Sequence, residues 1–438
     1  MHSGRNPDVI VVGAGNAALA AAIAAREAGA TVLVLEKAPP ELRGGNTRFS
    51  GGVFRFAYSG LEDILPLLSR RARSSVSATG GAVALSAGRR TPDARRRGGA
   101  LRCAVSNRRA PGGGGGLRHQ GGGLAPGRVR GRAGVSVRGP AGPADLEAPA
   151  VILACGGFEA NPEMRARYLG PGWDTVIVRG TASSTGEMLD AVLRIGGQPH
   201  GHWSGCHATP VDAAAPRVGD LRLTDRTNRL SYPYGIMVNT EGRRFVDEGE
   251  DFSPYTYARI GRAILAQPQN RAWQIFDQQT VDLLEERYAT GRPVRAETLA
   301  ELAEAMGVPR AALEETVATF NAAARAGRFD PTARDGRSTT GLRPPKSNWA
   351  LPLESPPFVA YPVTCGITFT YGGLRVDEQA RVLDTENKLI LGLYATGEIT
   401  GGFFYFNYPA GAGLMRGAVF GRMAGEESAR LAVSRRHT

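Results

Sequence analysis

Gly13, Gly15 and Ala18 stand at the spacing GxGxxA, and a carboxylate, Glu36, follows 21 residues after Gly15. Those residue types suit a pyrophosphate and a ribose. Gly13 permits a tight turn after a strand, Gly15 lets a phosphate approach backbone amides at a helix N-terminus, and Ala18 lets helix and strand pack closely. Glu36 can accept hydrogen bonds from both ribose hydroxyls of an adenosine. The pattern predicts a dinucleotide site, with Asn16, Ala17 and Lys37 beside the motif as further contacts.

The elements that must position these residues are legible around them. Residues 8–12 (DVIVV) read as a short buried strand, 15–28 as an Ala-rich helix capped by Gly29, and 31–35 (TVLVL) as a second strand. Strand, turn, helix and strand in that order build a parallel sheet. Two more apolar runs, 149–154 and 389–394, end in glycine turns and read as further parallel strands. The stretch 411–432 is helical in pattern, and 297–327 is a helical region with Pro309 near a helix start. The expected fold is α/β, a Rossmann-like domain of residues 1–199 and 361–438 with an inserted α+β capping domain, 200–360, for the substrate.

Flavin is favoured over nicotinamide by the residues after the fingerprint. Residues 44–52 (GGNTRFSGG) offer backbone amides and small hydroxyls that can line phosphates and a flavin ring. Here the sequence resembles the fumarate reductase/succinate dehydrogenase flavoprotein family, over about residues 7–60 and 149–430. The turn 154–158 (ACGGF), the TGE at 185–187, the stretch 238–248 (VNTEGRRFVDE) and the ATGE at 395–398 followed by GAGL at 411–414 all fit its pattern. The resemblance implies non-covalent FAD, because no His stands after Asn46 where some members attach it. Its contacts would include Gly44, Gly45, Asn46, Thr47, Ser50, Gly51, Gly52, Ala154, Gly156, Gly157, Thr185, Gly186, Glu187, Gly397, Glu398, Gly413 and Leu414. The helix after Gly413 would aim its positive end at the flavin and stabilise its reduced anion.

Fumarate reduction itself is disfavoured. Where the family has HHTMGG this chain has Thr368-Phe369-Thr370-Tyr371-Gly372-Gly373, and where it has NRLGG the chain has Asn407-Tyr408-Pro409-Ala410-Gly411. Phe252 replaces the arginine of proton transfer. The segments 201–207 (GHWSGCH), 247–252 and 404–409 are closer to FAD-dependent tricarballylate dehydrogenases, although Ser253-Pro254 stands where their arginine is expected. That resemblance implies oxidation of tricarballylate to cis-aconitate, with electrons leaving to a separate membrane electron-transfer protein or a quinone. Desaturation needs a base, a hydride acceptor and cations for carboxylates. The candidates are His207, Arg259 and Tyr408 for catalysis, and His202, Arg244 and Thr370 for substrate binding. Tyr408 also supports a rival, since a Tyr-Pro pair near the C-terminus resembles 3-ketosteroid Δ1-dehydrogenases; an inactive flavoprotein relative is a further alternative.

Composition limits the remaining possibilities. The four cysteines are scattered, so no metal site is expected, and they fit a reducing cytoplasm. No apolar run approaches the roughly 20 residues of a membrane helix, and Met1–Pro7 lacks a signal-like apolar region. A cytoplasmic protein is expected, at most peripheral to the inner membrane through its electron acceptor. The net charge of +12 is local: residues 70–144 hold 16 Arg, 18 Gly, one acid and no aromatic residue, leaving the rest of the chain at −3. Such composition predicts an Arg/Gly-rich disordered linker or, the favoured reading, a reading-frame error restored near residue 145. With no aromatic rings to stack on bases, a nucleic-acid role is disfavoured.

Overall fold

The computed structural model describes residues 6–57, 133–139 and 142–435. The chain first forms β1 (Val9–Val12), α1 (Asn16–Glu27) and β2 (Val32–Leu35). The hairpin β3 (Ala133–Gly139) and β4 (Gly142–Ala148) follows, then β5 (Ala150–Leu153), α2 (Pro162–Leu169), β6 (Ile177–Val178), α3 (Glu187–Arg194) and β7 (Pro199–His200). The middle holds β8 (Cys206–Asp212), β9 (Ile236–Asn239), α4 (Ser253–Leu265), β10 (Arg271–Phe276), β11 (Val294–Ala296), α5 (Leu299–Met306), α6 (Arg310–Ala323) and β12 (Phe358–Thr370). Last come β13 (Gly373–Leu374), β14 (Arg381–Leu383), β15 (Leu389–Ala395) and α7 (Ala412–Ser434).

The first sheet runs β14-β15-β5-β1-β2, and β15, β5, β1 and β2 are mutually parallel. The apolar runs of β1 and β5 are buried almost throughout, as strands covered on both faces must be. On one face α1 and α7 cross in close contact. They can do so because their facing residues are small: a Cβ on Gly421 would lie 2.5 Å from the Ala17 carbonyl oxygen, and one on Gly425 2.3 Å from that of Ala21. Fixing α7 against α1 brings the N-termini of both helices to the same end of the sheet.

The second sheet is organised by β12, thirteen residues long. Its first half pairs with β10 and β11, its second half with β8 and, in parallel, with β6. The expected boundary between residues 360 and 361 therefore falls inside a continuous strand, which links the capping layer to the flavin-side sheet. Helices α5 and α6 cover the outer face of β9, β10 and β12 around Leu302, Leu313, Val317 and Phe320. The helical region expected at 297–327 is thus two helices, broken by Gly307 with φ +67° and by Pro309.

The Arg/Gly-rich stretch requires a correction. Most of it lies outside the described residues, but 133–139 and 142–144 belong to the β3–β4 hairpin, whose Val135 is buried against the main core. Abundant Arg and Gly masked the short alternation Val135-Ser136-Val137, which is strand-like. Among the described residues no helix is long and apolar enough to cross a membrane. Gly425→Leu should force α1 and α7 apart and cost about 1–3 kcal/mol of stability, read as a lowered thermal midpoint.

Candidate active site

A cavity of about 1280 Å³ opens at the carboxyl ends of β1, β2 and β5 and continues beneath the capping layer. Ligand sites of open α/β sheets fall at this end. Gly13 sits there with φ +113°, and a Cβ on it would lie 2.3 Å from the Ala154 carbonyl oxygen. Only glycine allows β1 and the turn after β5 to approach so closely. The N-cap of α1 is Gly15, without a side-chain cap; the Asn16 amide donates to the Thr47 hydroxyl at 2.9 Å, and the start of the helix faces the cavity, where an anion is favoured. Leu33, Leu35, Val135, Val137 and Leu146 form an apolar wall on the Glu36 side. Amides for phosphates, a carboxylate for a ribose and an apolar slot for adenine fit FAD.

Gly13, Gly15, Asn16, Ala17, Glu36, Lys37, Gly45, Asn46, Thr47, Ser50, Gly51, Ala154, Gly156 and Gly157 line this cavity, as do Thr185, Gly186, Glu187, Gly397, Glu398, Gly413 and Leu414. Three expected contacts do not. Ala18 is turned into the helix interface and fully buried. Gly44 and Gly52 shape the loop through positive φ instead, and the Gly44 amide donates to Glu36 at 3.5 Å. Lys37 lies 2.7 Å from Glu187. Burial alone would raise the Glu187 carboxyl, but hydrogen bonds from Lys37 and Thr185 hold it below the usual range. The Asn46 side chain turns inward: its amide donates to Glu159 at 2.7 Å and to the Thr368 carbonyl at 2.6 Å, and its oxygen accepts from Thr181 N–H at 2.8 Å.

Glu159, absent from the sequence-based set, is fully buried beside the half-buried Glu398, which lines the cavity. Burial first, then the neighbouring Glu398 carboxylate, pushes Glu159 well above the ordinary range; burial likewise raises Glu398. Two adjacent carboxyls in such a place cannot both ionise cheaply. Thr370 supports this pair rather than a substrate. It is fully buried, without cavity surface, and donates to Glu398 through its amide at 2.9 Å and its hydroxyl at 3.3 Å.

His207 and Tyr408 meet where the cleft passes beneath the capping layer. His207, on β8, is 1% exposed and packs on Phe369, with ring centroids 5.0 Å apart, and edge-on to Tyr257 and Tyr408. Its Nδ1 has no hydrogen-bond partner. Burial, then the nearby Arg179 guanidinium, pushes its proton affinity well below the ordinary range, so the imidazole is neutral. The Tyr408 hydroxyl accepts the Gly413 amide at 3.0 Å, which leaves its own proton to donate.

The other three candidates are not brought to this chamber. Arg259 is committed to an ion pair with Glu250 and has no cavity surface. Arg244 pairs with fully buried Glu248 at 2.5 Å and donates to the carbonyls of Pro344 and Pro345, pinning the 238–248 turn within the capping domain. His202 accepts the Phe406 amide at 3.1 Å through Nδ1 and stacks on Tyr405 outside the cavity. Their sequence neighbourhoods resemble a site, but long-range pairing fixes where the side chains point. Instead the chamber receives Arg55, Arg179, Tyr257 and Arg287, none of which stands in a recognisable sequence motif.

Two outcomes check this geometry. Gly13→Ala should purify without flavin absorbance and with a lowered thermal midpoint, because the added carbon invades the β1–β5 contact. An unfolded His207 takes up a proton near its ordinary value of about 6.5, whereas the folded one does not. His207 therefore costs stability progressively as pH falls below about 6.5. His207→Asn should remove that component, so the wild-type thermal midpoint should fall more than the variant's between about pH 7 and pH 5.

The sequence matches the FAD binding domain family over residues 8–78 and 118–414. It is 29% identical to "Fumarate reductase (cytochrome)" of Shewanella frigidimarina, across 97% of this chain and 77% of that protein. It is 31% identical to "4-oxocyclohex-2-ene-1-carboxylate 5-dehydrogenase" of Sinomonas cyclohexanicum, across 68% of this chain and 54% of that one. The fold superposes on the open form of a flavocytochrome c3 fumarate reductase with a TM-score of 0.68 at 23% identity, covering 98% of this chain and 79% of the other. The chain belongs to this FAD-binding family, and it is a fumarate-reductase-like flavoprotein, an FAD-dependent oxidoreductase acting on CH–CH bonds.

Proposed function

We propose that the chain is a dehydrogenase of a small polycarboxylate, tricarballylate oxidised to cis-aconitate being the reaction its residues suit best. The observation that carries this reading is the charge of the chamber beyond the flavin cleft. Arg55, Arg179 and Arg287 line it, and the acids beside them, Asp225 and Glu285, both pair with Arg287. A positively charged chamber favours an anionic substrate. Bound FAD supplies the hydride acceptor.

The chain's own residues supply the rest. His207, neutral and with a free Nδ1, can take the acidic α-proton. The aromatic rings of Phe369, Tyr257 and Tyr408 exclude water around it. The arginines hold carboxylates so that the reacting bond faces the flavin. Electrons then pass to a quinone or a separate membrane electron-transfer protein, consistent with a cytoplasmic chain that is at most peripheral to the membrane.

A second reading rests on Tyr408. Its hydroxyl, held by the Gly413 amide at the start of α7, is placed to donate to a ketone oxygen and favour desaturation beside it. A relative named for an oxo-cyclohexene carboxylate fits that chemistry. Anaerobic mixing separates the two. Tricarballylate should bleach the bound flavin and yield cis-aconitate, while a 3-ketosteroid should leave it oxidised. Bleaching by the steroid alone would overturn the polycarboxylate reading.

A further inference from the structure

We propose that Arg179 is the substrate-anchoring residue, the guanidinium that seats one carboxylate of the substrate beside His207. The inference rests on the polycarboxylate reading and assigns its recognition to one side chain. Of the other arginines of the cavity, only Arg287 has carboxylate partners among the described residues. Arg287 pairs with Asp225 and Glu285, and Arg55 donates to the Ala410 carbonyl at 2.7 Å and lies over the Tyr255 ring. Arg416 lies between Phe403 and Phe404, on the flavin side.

Arg179 shares with Arg55 and Arg416 the lack of a carboxylate partner among the described residues, and differs from both in standing close enough to His207 to depress its proton affinity. It is 8% exposed, and its hydrogen bonds go to neutral groups only: Nε to the Thr368 hydroxyl at 2.9 Å and Nη1 to the Phe49 carbonyl at 3.1 Å. A guanidinium has five N–H donors, so most remain for the cavity that Arg179 lines. Among the described residues no carboxylate forms an ion pair with it. Burying a cation without a direct ion pair is unfavourable, and here desolvation outweighs the attraction of Tyr257 and Asp225 and lowers its proton affinity. A site that keeps such a group is completed by an anion from outside the chain.

The backbone makes the anchor rigid. Arg179 follows β6, and its amide donates to the Ile367 carbonyl at 2.8 Å, on one edge of β12. His207 is held on the other edge, in register with Phe369. One strand thus sets both the cation and the proton acceptor, near enough for the guanidinium to lower the proton affinity of His207. The phosphates of FAD would be held by Gly13, Gly15 and the start of α1 rather than by Arg179.

The test uses flavin-loaded full-length protein, titrated anaerobically with tricarballylate, citrate and malonate while the flavin spectrum is followed. Arg179→Gln should raise the Kd of each carboxylate by about 10–100-fold, the effect of losing hydrogen bonds to a charged group. Arg179→Lys should recover part of the loss, and trimethyl tricarballylate should bind both variants and wild type alike. Flavin content and circular dichroism establish that each variant is folded. Unchanged carboxylate affinity in Arg179→Gln would overturn the anchor while leaving tricarballylate oxidation intact. A shifted flavin potential with unchanged carboxylate affinity would assign the guanidinium to the flavin and overturn it equally. If wild type binds none of the carboxylates, both the anchor and the polycarboxylate reading fall.

Discussion

Close backbone approach through missing side chains is the constraint on which the rest of the molecule depends. Gly13 brings β1 against the turn after β5, and Gly421 and Gly425 bring α7 against the alanines of α1. These contacts leave no room for even a methyl group, so they fix the relative positions of two helix N-termini and a sheet edge. The start of α1 faces the expected phosphates, and the start of α7 faces the chamber through Gly413 and Leu414. A cleft for a long dinucleotide results from packing rather than from any one binding residue.

A second constraint couples that cleft to the substrate side. β12 runs without interruption from the capping layer to the flavin-side turn and is paired on both edges. Thr368, Phe369 and Thr370 at its end reach three networks: Arg179 through the Thr368 hydroxyl, His207 through the Phe369 ring, and Glu398 through Thr370. Movement of one network would be felt by the others, because a paired strand transmits displacement along its backbone. The flavin loop joins the same system through Asn46, whose amide bridges Glu159 and the Thr368 carbonyl.

Charge is distributed unevenly around this strand. On the flavin side the buried Glu159 stands beside the half-buried Glu398, and burial raises the proton affinity of both. On the substrate side a buried guanidinium and a neutral imidazole stand together, each made less willing to carry a proton by burial. Low dielectric strengthens whatever electrostatic partner a ligand brings to such groups. The surface arginines that form i,i+4 pairs, such as Arg167 with Glu163, contribute little by comparison.

The sequence by itself determined the first βαβ unit, the dinucleotide fingerprint and many of the residues that line the cavity. The fingerprint is local: glycines and a carboxylate at fixed offsets along one strand–turn–helix unit, where spacing alone sets geometry. The sequence did not reveal the hairpin at 133–148, because a short alternation of valines was submerged in arginine and glycine. The substrate side was decided only by tertiary structure. Arg244, Arg259 and His202 occupy suggestive positions along the chain, yet a buried glutamate, a nearby ion pair and a backbone amide claim them. Arg179 and Tyr257 carry no motif and enter the chamber because β6 and α4 pack beside β12 and β8. Long-range pairing fixes which partner a charged side chain meets, and residue type and spacing along the chain do not encode it.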